Sequence, residues 1–131
     1  MKRILTSAFV PVAFLAFGAV GAAAAPAPKS LDAALAGRTA GAAVPCINQR
    51  TIDSSTVFNG AIVYRELGGK LYVNKPDKGR CTILKPDRQL VTRTAGTQLC
   101  RLDSVRVVDL VTHMEYGSCT LDDFVPYAKQ K

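Results

Sequence analysis

Two stretches decide the fold: Ala61-Ile62-Val63-Tyr64-Arg65 and, across a short gap containing Gly68-Gly69, Leu71-Tyr72-Val73. Both are brief and rich in β-branched and aromatic side chains, the composition of strands rather than helices. The glycine pair supplies the positive φ angles that a tight hairpin turn needs, so the two runs are expected to pair antiparallel. The same signature recurs downstream at Gln89-Leu90-Val91-Thr92-Arg93-Thr94 and at Val105-Arg106-Val107-Val108-Asp109. Lys75-Pro76-Asp77-Lys78-Gly79 and Thr94-Ala95-Gly96-Thr97 read as turns between them, and Pro86 limits any strand at Thr82 to Lys85, for which a helical turn is the alternative. Cys46-Ile47 to Ile52 and Ser118-Cys119-Thr120-Leu121 supply the first and last strands. Val105, Val107 and Val111 share one face of their segment while Val108 and Leu110 share the other, which predicts a strand buried on both sides or bulged. The expectation is an all-β domain of about six short strands, a small antiparallel barrel or a two-layer sandwich. Closure into a barrel has the advantage that it removes exposed strand edges.

The chain of 131 residues is too short for a multidomain enzyme, a dinucleotide-binding fold or a multi-span membrane protein. Its start has the layout of a secretory signal peptide: Lys2 and Arg3, an apolar run from Ile4 to Val20, then Ala22 to Ala25. Residues 1–24 are therefore expected to be removed, leaving no stable membrane insertion and a periplasmic or secreted protein. The basic excess of 17 Lys and Arg over 10 Asp and Glu falls by two with the loss of Lys2 and Arg3. Residues 25–45, with Pro26, Pro28, Gly37, Gly41 and many alanines, read as a flexible tether, within which Leu31, Ala34 and Leu35 could form one helical turn. Residues 46–131 form the folded domain. Four cysteines in a short exported chain imply two disulfides. Three pairings exist; Cys46 with Cys119 and Cys81 with Cys100 is favoured, because the outer pair would join the first strand to the last. Spacings of 35, 19 and 19 residues, with no Cys-x-x-Cys, do not match a zinc ribbon or a thioredoxin-type redox site.

Cys46-Ile47, Tyr64, Leu71-Tyr72-Val73-Asn74, Gly79-Arg80-Cys81, Leu99-Cys100-Arg101-Leu102-Asp103-Ser104-Val105, Gly117-Ser118-Cys119 and Phe124-Val125-Pro126-Tyr127 resemble a family of small exported Gram-negative bacterial proteins with a four-cysteine β domain of unknown function. The resemblance covers Cys46 to Tyr127. It implies export and a cysteine-bearing β fold, assigns no catalytic residue, and leads one to expect a glycine where Leu102 stands.

No motif for catalysis or for a cofactor is present. His113 is the only imidazole and stands in a connecting segment without a nucleophile elbow. Asp103, Asp109, Glu115, Asp122 and Asp123 are the carboxylates on which hydrolysis would have to draw. Asp103 reads as a turn-ordering residue, and Asp122-Asp123 as a charged turn with some capacity for calcium. There is no phosphate-cradling glycine run and no zincin pair, so neither cofactor nor metal is expected. The positive content is a cluster of cations: Lys75, Lys78, Arg80, Lys85, Arg88 and Arg93, offset only by Asp77 and Asp87. With Tyr64 and Tyr72 available to stack, such a cluster could bind a polyanion, or it could be a solvated face that keeps the chain soluble. Export points away from nucleic acid and toward an envelope protein or an anionic envelope polymer, such as lipopolysaccharide phosphates or acidic glycans, or an anionic membrane surface. The expected function is a non-catalytic envelope module. A small periplasmic hydrolase using a carboxylate pair or His113, and a secreted inhibitor or assembly factor, are the alternatives.

Overall fold

Gly68 and Gly69 take φ values of 97° and 93° and turn the chain between two strands, Ala61–Glu66 and Leu71–Asn74, which pair antiparallel with Tyr64 opposite Tyr72. The computed structural model describes Gly21 and residues 24–131, and places this hairpin in the interior of its larger sheet. The described residues form α1 (Leu31–Leu35), β1 (Arg38–Ala40), β2 (Cys46–Asn48), β3 (Ile52–Phe58), β4 (Ala61–Glu66), β5 (Leu71–Asn74), β6 (Arg88–Thr92), β7 (Gln98–Cys100), β8 (Ser104–Asp109), β9 (Glu115–Thr120) and β10 (Phe124–Lys129). A five-stranded sheet has the order β1-β10-β5-β4-β3, a three-stranded sheet the order β6-β8-β9, and β2 pairs with β7 in a short ribbon; every pairing is antiparallel. The fold is all-β and sandwich-like. Closure into a barrel does not occur among the described residues, and β1 and β3 are the edges of the larger sheet, β6 and β9 those of the smaller.

The main core lies between the two sheets. Ile62, Tyr64, Val57 and Phe124 from the larger sheet meet Val105, Val107 and Cys119 from the smaller one, while Ile47, Leu99, Leu84 and Leu121 close the end. Alternation along β4 explains its continuous burial: Ile62 and Tyr64 face this core, and Ala61 and Val63 face a second cluster with Phe58, Leu71 and Val73. Leu31, Ala34 and Leu35 of α1 cover that second cluster. The expected tether is therefore folded from Leu31 onward: β1 pairs with β10, and Val44 bridges to Phe124. Alanine and glycine carry little strand propensity, and it is the apolar outer face of the sheet that orders them. The expected leader, except for Gly21 and Ala24, lies outside the described residues. Among the described residues no helix is long and apolar enough to cross a membrane.

The favoured cysteine pairing is corrected. Cys46 bonds to Cys100 and Cys81 to Cys119. The reason is register: β2 pairs with β7 so that Cys46 lies directly opposite Cys100. Cys81 and Cys119 are both buried in the main core. Two disulfides in so small a domain fit an oxidising, extracytoplasmic environment.

Where β9 leaves the smaller sheet to become β10 in the larger one, Asn74 holds the crossing. Its side chain is fully buried; Nδ2 donates to the Asp122 carbonyl at 2.5 Å, and Oδ1 accepts from the Asp122 N–H at 3.1 Å. The amide thus does for Asp122 what a neighbouring strand residue would do, satisfying both backbone groups.

Candidate functional site

The six cations picked out in the sequence do not form one patch. β6 separates them: Arg88 pairs with Asp109 at one end of the small sheet, while Thr92, next to Arg93, pairs with Val105 at the other. Arg88 is committed to structure, its guanidinium donating to the Ile83 carbonyl at 2.6 Å and lying 3.6 Å from the centre of the Tyr116 ring. Lys85 is exposed in the loop that leads into the Arg88 end. Tyr64 is unavailable for stacking; it is buried edge-on against Phe124, and burial pushes its hydroxyl well above the usual phenol range. Tyr72 is half-buried beside Lys70, whose ammonium is held charged to higher pH by hydrogen bonds to the Tyr72 hydroxyl and then to Glu66.

Lys75, Lys78 and Arg80 do come together, on an unusual turn. Pro76 is buried and fixes the first position. Asp77 (φ 52°, ψ 35°), Lys78 (φ 57°, ψ 40°) and Gly79 (φ 80°) then follow in the left-handed region. For each of the two non-glycine residues that conformation costs roughly 1–2 kcal/mol, so it persists only where the surroundings impose it. Here the Gly79 N–H donates to the Lys75 carbonyl at 3.1 Å, the Arg80 N–H to the Asp77 carbonyl at 3.2 Å, and the next residue, Cys81, is bonded to β9. The three basic side chains are exposed and, among the described residues, have no carboxylate within ion-pair distance.

Two clefts flank the turn. Lys75 and Lys78 rim one of about 350 Å³, floored by Val73, Val125 and Tyr127 and bounded by Asp122 and Asp123. Lys78 and Arg80 rim another of about 430 Å³ with Asp77, Arg101, Leu102 and Thr120. The acids are partly engaged: Arg101 reaches Asp123 at 3.7 Å, and an Asp122 carboxylate oxygen accepts the Asp123 N–H at 2.8 Å. A long polyanion track is not formed. The arrangement suits a compact anionic group held by two or three cations.

No family model matches this chain, and neither a curated protein nor a solved structure matches it.

The other candidates are dispersed. Asp103 orders the turn after β7, its carboxylate accepting the Cys100 N–H at 2.7 Å. Leu102, just before it, has φ 72°, the conformation for which a glycine is suited. Glu115 pairs with Arg106 at 3.3 Å, and His113 is exposed in the β8–β9 loop. The Asp77 carboxylate lies within 4.8 Å of the Cys81 and Cys119 sulfurs, but these share a disulfide and offer no thiolate to a metal. The sequence pattern places Leu110 and Val111 on the two faces of the strand and only Val111 to Glu115 in the connection, whereas β8 ends at Asp109 and both residues stand exposed in the hairpin tip. Its signal was the presence of Leu110, Val111 and Met114 in a turn, where polar residues are usual.

Proposed function

We propose that this protein is an exported, non-catalytic envelope module, a member of the family it resembles, that binds a compact phosphate-bearing group at Lys75, Lys78 and Arg80. One observation carries the reading: three exposed cations without carboxylate partners are presented on a left-handed turn that is anchored at Cys81. Such preorganisation lowers the ordering cost of capturing an anion, and charge-assisted hydrogen bonds to phosphate are the strong ones. Neighbouring Asp122 and Asp123 disfavour extended polyanions and favour a small headgroup that sits between them and the lysines.

The test is binding of the oxidised protein to lipopolysaccharide and to the same material after dephosphorylation. Binding should be salt-sensitive, should depend on the phosphates, and should fall about tenfold, the equivalent of about 1.4 kcal/mol, in Lys78→Glu with Arg80→Glu. Equal binding by the double variant, or by the dephosphorylated material, overturns the proposal.

A further inference from the structure

The hairpin that joins β8 to β9 ends in a tip of unusual chemistry. Leu110, Val111 and Met114 are 58%, 84% and 68% exposed, and Tyr116 behind them is 44% exposed. The tip is built, not loose. The Asp109 carboxylate accepts the Val111 and Thr112 N–H groups at 2.8 and 2.7 Å and the Tyr116 hydroxyl at 3.0 Å. The Asp109 carbonyl takes the His113 N–H at 3.1 Å, and the Asp109 N–H donates to the Met114 carbonyl at 2.8 Å. A rigid turn that holds three large apolar side chains in solvent, with Thr112 and His113 as the exposed polar residues between them, carries more apolar surface than such loops normally do.

We propose that this tip is a membrane-contact element, which seats Leu110, Val111 and Met114 in the interfacial layer of a phospholipid surface. The order of chemistry along the hairpin supports the choice. Behind the apolar tip comes Tyr116, an amphipathic ring of the kind that favours the headgroup level. Against that ring lies the Arg88 guanidinium, which is held by the Ile83 carbonyl and fixes the ring, and Lys85 in the adjoining loop is the exposed cation that would meet phosphates. The carboxylates at this end are Asp87, Asp109 and Glu115; Asp109 is spent on the turn and Glu115 on Arg106. With cations and acids balanced, apolar insertion rather than net charge drives the contact, and it is peripheral and reversible. A protein partner fits less well: a stable protein interface engages about 20–30 residues a side, whereas this tip offers three side chains on a turn. A lipid surface needs no complementary shape.

The chain has no tryptophan, so Val111→Trp creates a single reporter at the tip, insensitive to vesicle binding through any other segment. With vesicles of equal parts phosphatidylethanolamine and phosphatidylglycerol, its emission should shift to the blue and become shielded from an aqueous quencher. Thr97→Trp, exposed beyond the opposite end of β6, should do neither. Adding Met114→Asp to Val111→Trp should lower partition at least about tenfold, since an apolar contact is replaced by a charge. Lys78→Glu with Arg80→Glu should leave the Val111→Trp shift intact, which separates this contact from the phosphate site. An unshifted Val111→Trp, an equal shift in Thr97→Trp, a shift abolished by Lys78→Glu with Arg80→Glu, or a shift that only an envelope protein fraction elicits would each overturn the proposal.

Discussion

At one end of the β6-β8-β9 sheet, Thr120 faces Ser104 and the chain is pinned: Cys119 is bonded to Cys81, and Lys78 and Arg80 share a cleft with Thr120. At the other, beyond Val108 and Glu115, the hairpin projects into solvent and is held by one carboxylate. The first end spends covalent constraint and backbone strain to present charge. The second uses ordinary hydrogen bonds to present apolar surface. A single small sheet can therefore offer two chemistries about 15 Å apart, by the rise of roughly 3.3 Å per residue along its strands, without either compromising the packed middle.

The sharpest way to break this contrast is to cut the staple. Cys81→Ser with Cys119→Ser removes a bridge across 38 residues, and should lower unfolding free energy by about 4 kcal/mol on the loop-entropy model, measured by urea denaturation without reductant. A loss below about 1 kcal/mol would mean that packing alone holds this end. A smaller effect of opposite sign is expected next door. Leu102 is 78% exposed with φ 72°, so Leu102→Gly relieves strain while giving up little burial. It should raise stability by about 0.5–1 kcal/mol in thermal melts, and a fall in stability would show that the turn is not strained.

The smallest effect belongs to the tip. Hydrogen bonds from the Thr112 and Val111 amides, and then from the Tyr116 hydroxyl, lower the Asp109 carboxyl from 3.8 to about 2. The same bond to Asp109 is the leading cause of the raised Tyr116 hydroxyl. A depressed folded-state value means that the stabilisation is complete above the ordinary carboxylate range and is lost as pH falls through about 2. Amide exchange at Val111 and Thr112, followed by NMR, should therefore accelerate relative to β8 as the solution is acidified through that window. Unchanged relative protection would remove Asp109 as the organiser of the tip.

The β4–β5 hairpin was legible because its apolar residues, its β-branching and Gly68-Gly69 agree. β3 was not read as a strand of its own, since Asp53, Ser54, Ser55 and Thr56 form a polar edge without alternation. Asn59-Gly60, a strong hairpin signal with Gly60 at φ 71°, marks its end. β10 lies beyond the last strand expected, Ser118 to Leu121: Pro126 argues against an interior strand, yet it sits where β1 has run out and needs only to accept the Gly41 N–H at 2.7 Å. The cation cluster looked continuous because a linear count does not register that β6 carries Arg88 and Arg93 to opposite ends. The disulfide partners depended on β2 lying beside β7, a long-range pairing that short apolar runs do not encode.

The pairing of β1 with β10 gives the chain a defined response to tension. Arg38 lies opposite Lys129, so forces applied through residues before Arg38 and after Lys129 act at the same end of that ladder. They would open it like a zipper, one rung at a time, rather than shear all rungs together. Peeling from the N-terminal side then meets Cys46, and from the C-terminal side Cys119. Because the Cys46–Cys100 and Cys81–Cys119 bridges interleave along the sequence, the shortest covalent path between those limits crosses to Cys100 and runs through residues 100–119, which leaves the turn before Cys81 off the taut path. Under load the molecule would lengthen at its margins and keep its cation-bearing turn intact.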